Sequence, residues 1–144
     1  MSEFDAEDLQ QFLHRTLPEI DQCGEVVEAV DDNGARLRLP FRDAYMGPGG
    51  VFSGPTLLRF ADTAMYAACQ AVLGKSGIAV VSTMTLTFLR PGQSGDIVAD
   101  ARVLRRGKRL LNVEAELSMA GAGEPILRAS ATCAVLPGDI MTAT

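Results

Sequence analysis

Apolar and polar positions along this chain follow two different periods, and the changes of period mark its elements. Over Ala6–Thr16, Leu9, Phe12 and Leu13 fall at helical spacing among polar residues, and Pro18 ends the run, which predicts a short N-terminal helix. From Gln22 to Val30 and from Ala35 to Pro40 the pattern becomes that of strands. In the second run Ala35, Leu37 and Leu39 alternate with Arg36 and Arg38. Asp31-Asp32-Asn33-Gly34 joins the two, and its Asn-Gly pair predicts the positive φ angles of a tight hairpin.

The turn-rich passage Met46-Gly47-Pro48-Gly49-Gly50 precedes a long helical segment. Ser53 fits an N-cap, Pro55 falls in the first turn, and Gly74 stands where a left-handed C-cap belongs. These bounds predict about five and a half turns. The segment is apolar around most of its circumference, with one polar stripe at Arg59, Asp62, Thr63, Tyr66 and Gln70. Such a helix has to be covered on most sides, as when a sheet curls around it.

Four more β-rich runs supply that sheet: Ile78–Leu89, Asp96–Arg105, Arg109–Met119 and Ile126–Leu136. Their short connections predict an antiparallel meander, and the absence of a βα repeat excludes a doubly wound parallel sheet, leaving an α+β fold. With 144 residues, 47% of them hydrophobic, the chain can fill one substantial core but not two. One domain over 1–144 is expected, its core at about 22–137.

Charge narrows the function. A net charge of −5 disfavours a whole-surface attraction to nucleic acid or anionic lipid, so an anionic ligand needs a local basic patch. No run approaches the roughly 18 apolar residues of a membrane span, and Met1–Asp8 is acidic where a secretory signal is basic, so the expected location is cytoplasmic. Cys23, Cys69 and Cys133 are an odd number without metal-ligand spacing and read as buried structural thiols. His14 is the only histidine, which rules out a histidine triad or a multi-His metal site. Chemistry therefore falls to carboxylates, hydroxyls and backbone groups, with no metal.

Three places could carry it. Asp62 lies about two turns into a mostly buried helix, where a carboxylate is costly unless paired or used; Arg59, three residues earlier, offers a simple ion pair as the alternative. Ser53-Gly54-Pro55 exposes N–H groups at the positive end of the helix dipole, able to bind an oxyanion or merely to cap the helix. Arg105-Arg106-Gly107-Lys108-Arg109 concentrates cations at a turn, suited to phosphates or simply solvated.

Together these features resemble the hotdog-fold acyl-CoA thioesterases of the phenylacetate-pathway group, from about Val26 to Leu136. In that family Gly-x-x-His-Gly-Gly opens a central helix wrapped by an antiparallel sheet of about six strands. An acidic residue follows nine positions after the histidine, and an asparagine often lies six before it. Gly50-Val51-Phe52-Ser53-Gly54-Pro55 fits the motif, and Asp62 falls at the acidic position. Leu86-Thr87-Phe88-Leu89-Arg90-Pro91, Gly95-Asp96-Ile97 and Val103–Arg109 continue the register.

The resemblance implies hydrolysis of an acyl-CoA thioester, with Asp62 as nucleophile or general base and the Gly54 N–H on the thioester oxygen. It implies that these two groups come from opposite subunits of a homodimer, which in turn can pair into a tetramer. No cofactor is implied beyond the coenzyme A of the substrate. Ser53, Pro55, the start of the following strand at Ser82 or Val81, and the basic turn Arg106, Gly107, Lys108 and Arg109 would contact substrate; Tyr66, one turn beyond Asp62, would line the pocket or, more simply, pack. Three departures stand out: Ser53 replaces the histidine, Pro55 the second glycine, and Gly47 the asparagine. They leave a non-catalytic acyl-CoA-binding dimer as the alternative, and make an acyl-CoA hydratase, which uses an Asp/His pair, weaker still.

Overall fold

A computed structural model describes residues 2–137, so Met1 and residues 138–144 of the expected domain lie outside the described residues. Helix α1 (Ala6–Thr16) begins at Asp5, whose side chain accepts the Asp8 N–H while the Asp8 carboxylate accepts the Asp5 N–H. Its apolar face, Leu9, Phe12 and Leu13, is buried in the common core. The strand expected from Gln22 starts later. Pro18 opens a second short helix, α2 (Glu19–Cys23), which stops at Gly24 with φ 80°.

Strands β1 (Val26–Val30) and β2 (Gly34–Leu39) form the expected hairpin, but not through positive φ angles. Asp31 Oδ1 instead accepts the N–H groups of Asn33 (2.8 Å) and Gly34 (2.9 Å). Gly34 is needed for space, because a Cβ there would lie 2.0 Å from the Ala101 carbonyl oxygen on the neighbouring strand.

Two 3₁₀ turns, Asp43–Tyr45 and Pro48–Gly50, lead into the central helix α3 (Gly54–Leu73). Ser53 is its N-cap, accepting the Thr56 N–H at 3.3 Å. Gly74 ends it with φ 62° but ψ −131°, outside the left-handed helical region that the sequence suggested. Strands β3 (Gly77–Phe88), β4 (Ile97–Arg106), β5 (Leu110–Met119) and β6 (Pro125–Pro137) follow.

All neighbours in the sheet are antiparallel, in the order β1-β2-β4-β5-β6-β3. Only β4-β5-β6 is the expected meander. Helix α3, inserted between β2 and β3, carries the chain across the sheet to its far edge, so that β2 lies beside β4 and β3 beside β6. The concave face wraps α3. Phe60, Ala61, Ala64, Ala67 and Ala68 of the helix meet Leu37, Leu39, Ile97, Ala99, Leu117 and Leu127 of the sheet, all fully buried. The alanines let the helix approach the strands closely.

Gln70 is buried because its amide donates to the Gly77 carbonyl (3.0 Å) and accepts the Ala79 N–H (2.7 Å), fastening the end of α3 to β3. Cys69 and Cys133 are buried hydrogen-bonded thiols, whereas Cys23, at the end of α2, is only half-buried, contrary to expectation.

The β3 edge is unfinished. On either side of its bulge, Val81 and Phe88 pair with the buried residues Cys133 and Leu127 and so face the concave side, yet they are 44% and 53% exposed. Helix α3 does not reach far enough to cover them.

Candidate active site

The polar stripe of α3 runs beside that edge. Arg59, Asp62, Thr63 and Tyr66, spaced i, i+3, i+4, i+7, share one helix face and line a cavity of about 810 Å³. The rest of the wall comes from Arg15 to Leu17 and Glu19 and Ile20, on and between the N-terminal helices, and from Ile78–Val81 on β3.

Asp62 has no hydrogen bond or ion pair among the described residues. It is half-buried, and burial pushes its carboxyl above the ordinary carboxylate range. The pairing with Arg59 considered from the sequence does not form. Arg59 Nη1 instead donates to Glu25 Oε2 at 2.6 Å, from a side chain 28% exposed to one only 1% exposed. Burial alone would pull the guanidinium down, but Glu25 more than offsets this and holds it above its usual value. Occupied by Glu25, Arg59 leaves Asp62 without a counter-charge.

Tyr66 donates to Thr16 Oγ1 (3.0 Å), and Thr16 in turn donates to the Phe12 carbonyl (3.0 Å). The Tyr66 ring stacks on Phe12 with centroids 6.4 Å apart. Burial raises the phenol, with the Thr16 hydrogen bond opposing, so the hydroxyl stays protonated at neutral pH.

At the start of α3 the glycine turn is held by Ser53 N–H to the Tyr45 carbonyl and Phe52 N–H to the Gly92 carbonyl, both 2.9 Å. Gly54 is exposed, its N–H makes no hydrogen bond, and a Cβ on it would meet nothing within 4 Å. An unpaired donor at a helix N-terminus is suited to an oxyanion. The Ser53 hydroxyl is committed to the Thr56 N–H and donates to the Thr56 hydroxyl (2.8 Å). Gly47 packs against Ser53, a Cβ there falling 3.2 Å from the Ser53 Cβ. Both polar groups missing from the family pattern are therefore missing from one spot.

Of the residues singled out from sequence, Asp62, Tyr66 and Val81 share the cavity. Gly54, Ser53 and Pro55 lie at the start of α3, outside its walls, and the exposed Ser82 is not part of it. The basic turn lies between β4 and β5: Arg106, Lys108 and Arg109 are exposed, Arg106 donates to the Val72 carbonyl (3.1 Å), and Gly107 N–H donates to the Leu110 carbonyl (2.8 Å). Sequence reasoning missed the wall formed by α1 and α2, and it missed Glu25. The period of α1 says that it packs but not on what, and a lone glutamate before a strand carries no signal.

A profile of the thioesterase superfamily matches residues 49–125, from the glycine turn to the start of β6. The chain belongs to that superfamily, and its class of reaction is thioester hydrolysis. No curated protein matches it. Among solved structures, a candidate thioesterase from Silicibacter sp. TM1040 is 29% identical over 95% of each chain, with a TM-score of 0.86. A phenylacetic acid degradation-related candidate thioesterase from Ralstonia eutropha JMP134 is 29% identical over 88% of this chain and 98% of its own, at 0.78. A Haemophilus influenzae thioesterase, 20% identical over 93% of this chain and 92% of its own, shares the fold at 0.82. Among the described residues no helix is long and apolar enough to cross a membrane.

Proposed function

We propose that the protein hydrolyses an acyl-CoA thioester to a carboxylic acid and coenzyme A, as a cytoplasmic homodimer that can assemble further into a dimer of dimers. The observation that carries this reading is Asp62: an unpaired, half-buried carboxylate with a raised pKa, on the wall of a cavity, at the acidic position of the thioesterase pattern. As general base it takes a proton from water while the water oxygen attacks the carbonyl carbon, and the coenzyme A thiolate leaves and is protonated. As nucleophile it forms a mixed anhydride that water then opens. Either way, negative charge develops on the carbonyl oxygen, and the free Gly54 N–H is the donor for it. No cofactor is required.

Support for the dimer comes from Val81 and Phe88, apolar, concave-facing and uncovered at the β3 edge. Gly54 lies about 12 Å along the α3 axis from Asp62, eight residues at roughly 1.5 Å each, so the oxyanion donor for one Asp62 is assigned to the partner chain. The exposed cations Arg106, Lys108 and Arg109 suit the phosphates of coenzyme A. Reversing Arg106 and Lys108 to Glu should raise KM several-fold with kcat nearly constant, the pattern of lost uniform binding. An unchanged KM would make the turn a solvated hairpin tip.

The second reading, a dimer that binds acyl-CoA without turnover, is favoured by Gly47, which has no side chain, and by Ser53, whose hydroxyl is engaged by Thr56, so that neither stands in for the asparagine or histidine of the family pattern. Thiol release from short, medium and aromatic acyl-CoAs separates the two. Hydrolysis of at least one substrate, lost in Asp62→Asn, supports the enzyme; tight binding without thiol release selects the binding module.

A further inference from the structure

Thr63 stands between Asp62 and Tyr66 on the cavity wall and is 6% exposed. Its hydroxyl has no hydrogen-bond partner among the described residues. Among the described residues the unpartnered side-chain polar atoms sealed from solvent are Glu25 Oε1 and Arg59 Nη2, so Thr63 Oγ1 is not sealed, and its residual surface opens on the cavity. A nearly buried hydroxyl left unpaired is destabilising, and valine would fill the same space without that penalty. Water can meet the hydroxyl while the cavity is empty. A ligand that displaces the water has to replace its hydrogen bond.

Tyr66, three residues on, is the neighbour of Thr63 along the stripe. Its own hydrogen is committed to Thr16, and the Thr16 hydrogen to the Phe12 carbonyl, so the Tyr66 oxygen is left as an acceptor only. The cavity wall therefore presents a free donor on Thr63 and, about one helical turn on, an acceptor on Tyr66. A hydroxyl answers both, accepting from one and donating to the other. A ketone can use only the donor, and a methylene neither.

Position along the acyl chain follows from the helix. Asp62 works at the thioester carbon, and the Thr63 Cα is about 3.8 Å from the Asp62 Cα. The recognised hydroxyl therefore lies close to the carbonyl, not at the far end of the acyl group. We propose, resting on the acyl-CoA reading above, that Thr63 and Tyr66 are specificity-determining residues selecting thioesters of hydroxy acids that carry the hydroxyl near the carbonyl, with 3-hydroxy acids as the class tested.

The test compares butyryl-CoA, (R)- and (S)-3-hydroxybutyryl-CoA and acetoacetyl-CoA. Thiol release is measured for the parent protein, Thr63→Val and Tyr66→Phe; calorimetric Kd is measured on Asp62→Asn and on Asp62→Asn combined with Thr63→Val. One 3-hydroxybutyryl epimer should exceed butyryl-CoA by about tenfold or more in kcat/KM and in 1/Kd, with acetoacetyl-CoA between them. Thr63→Val should bring that ratio to within about twofold of unity. Equal handling of hydroxylated and plain substrates, a preference for acetoacetyl-CoA, or a preference that survives Thr63→Val overturns the proposal, while hydrolysis itself stands. A Kd preference that needs Thr63, in a protein that releases no thiol, upholds the selection and overturns hydrolysis.

Discussion

Carboxylates meet arginines in two regions of this molecule, with opposite outcomes. On the outer face of β1, β2 and β4, Arg36 bridges Glu28 (3.2 Å) and Asp100 (2.9 Å), and Arg38 bridges Glu28 (2.7 Å) and Asp96 (3.1 Å). Asp96 also accepts the Phe41 N–H at 2.8 Å. That backbone bond, with Arg38, holds the Asp96 carboxyl below its usual range, and the Arg38 hydrogen bond does the same for Glu28. In the cavity beside α3 the only arginine on Asp62's helix is occupied by Glu25, and Asp62 is left alone with its charged form disfavoured. The contrast shows what a nearby arginine is for: on the surface it fixes ionised carboxylates, while in the cavity it is held away from one.

The largest expected effect follows from neutralising one acid in each region. Asp62→Asn keeps the side-chain shape but removes the base or nucleophile, so kcat should fall by about 10²–10⁴-fold with the fold intact. Its melting temperature should stay equal or rise, because an unpaired, partly desolvated charge is removed. Asp96→Asn should behave inversely, losing about 1 kcal/mol of stability, modest because the pair is exposed, with kcat within about twofold of the parent. Retained hydrolysis in Asp62→Asn together with a lowered melting temperature would reject the assignment of Asp62.

A smaller effect tests the guard on Asp62. Glu25→Gln leaves the Arg59 charge partly buried without its partner, which should cost about 3 kcal/mol in urea unfolding. It should also lower kcat, because a freed Arg59 can turn to Asp62 three residues away and hold it ionised as a weaker base. If Glu25→Gln unfolds more easily but keeps the parent's kcat and pH profile, the pair is only a structural tie.

The sequence revealed the architecture better than the cavity, for physical reasons. The central helix was legible because Ser53, Pro55 and Gly74 are local signals, and the strands because their period is local too. The place of β3 at the far edge was not, since sheet order depends on where α3 carries the chain. Gly34 misled because Asn-Gly signals a turn angle, while here the glycine makes room for Ala101. Asp62 could be found from the polar stripe and the motif register. That Arg59 would choose Glu25, and that α1 would place Thr16 against Tyr66, are long-range packing outcomes without a local trace.

The smallest effect is the pH dependence of stability, where the two regions should part in sign. Asp62 has a folded pKa raised above 3.8, so the native state binds more protons than the unfolded state as pH climbs from that value, and stability is lost as pH rises through the folded pKa. The advantage of Asp62→Asn over the parent should be near zero in acid, grow through that window, and level off above it. Asp96 has a folded pKa lowered below 3.8, so its contribution is present above that value and lost as pH falls through the folded pKa. The deficit of Asp96→Asn should accordingly be full at neutral pH and shrink toward acid. Urea unfolding of parent and both variants between about pH 3 and 7 should give difference curves that start close together in acid and diverge to opposite signs. A flat curve for Asp62→Asn would mean that its carboxylate is as well solvated as one on the surface, and the raised base in the cavity would have to be given up.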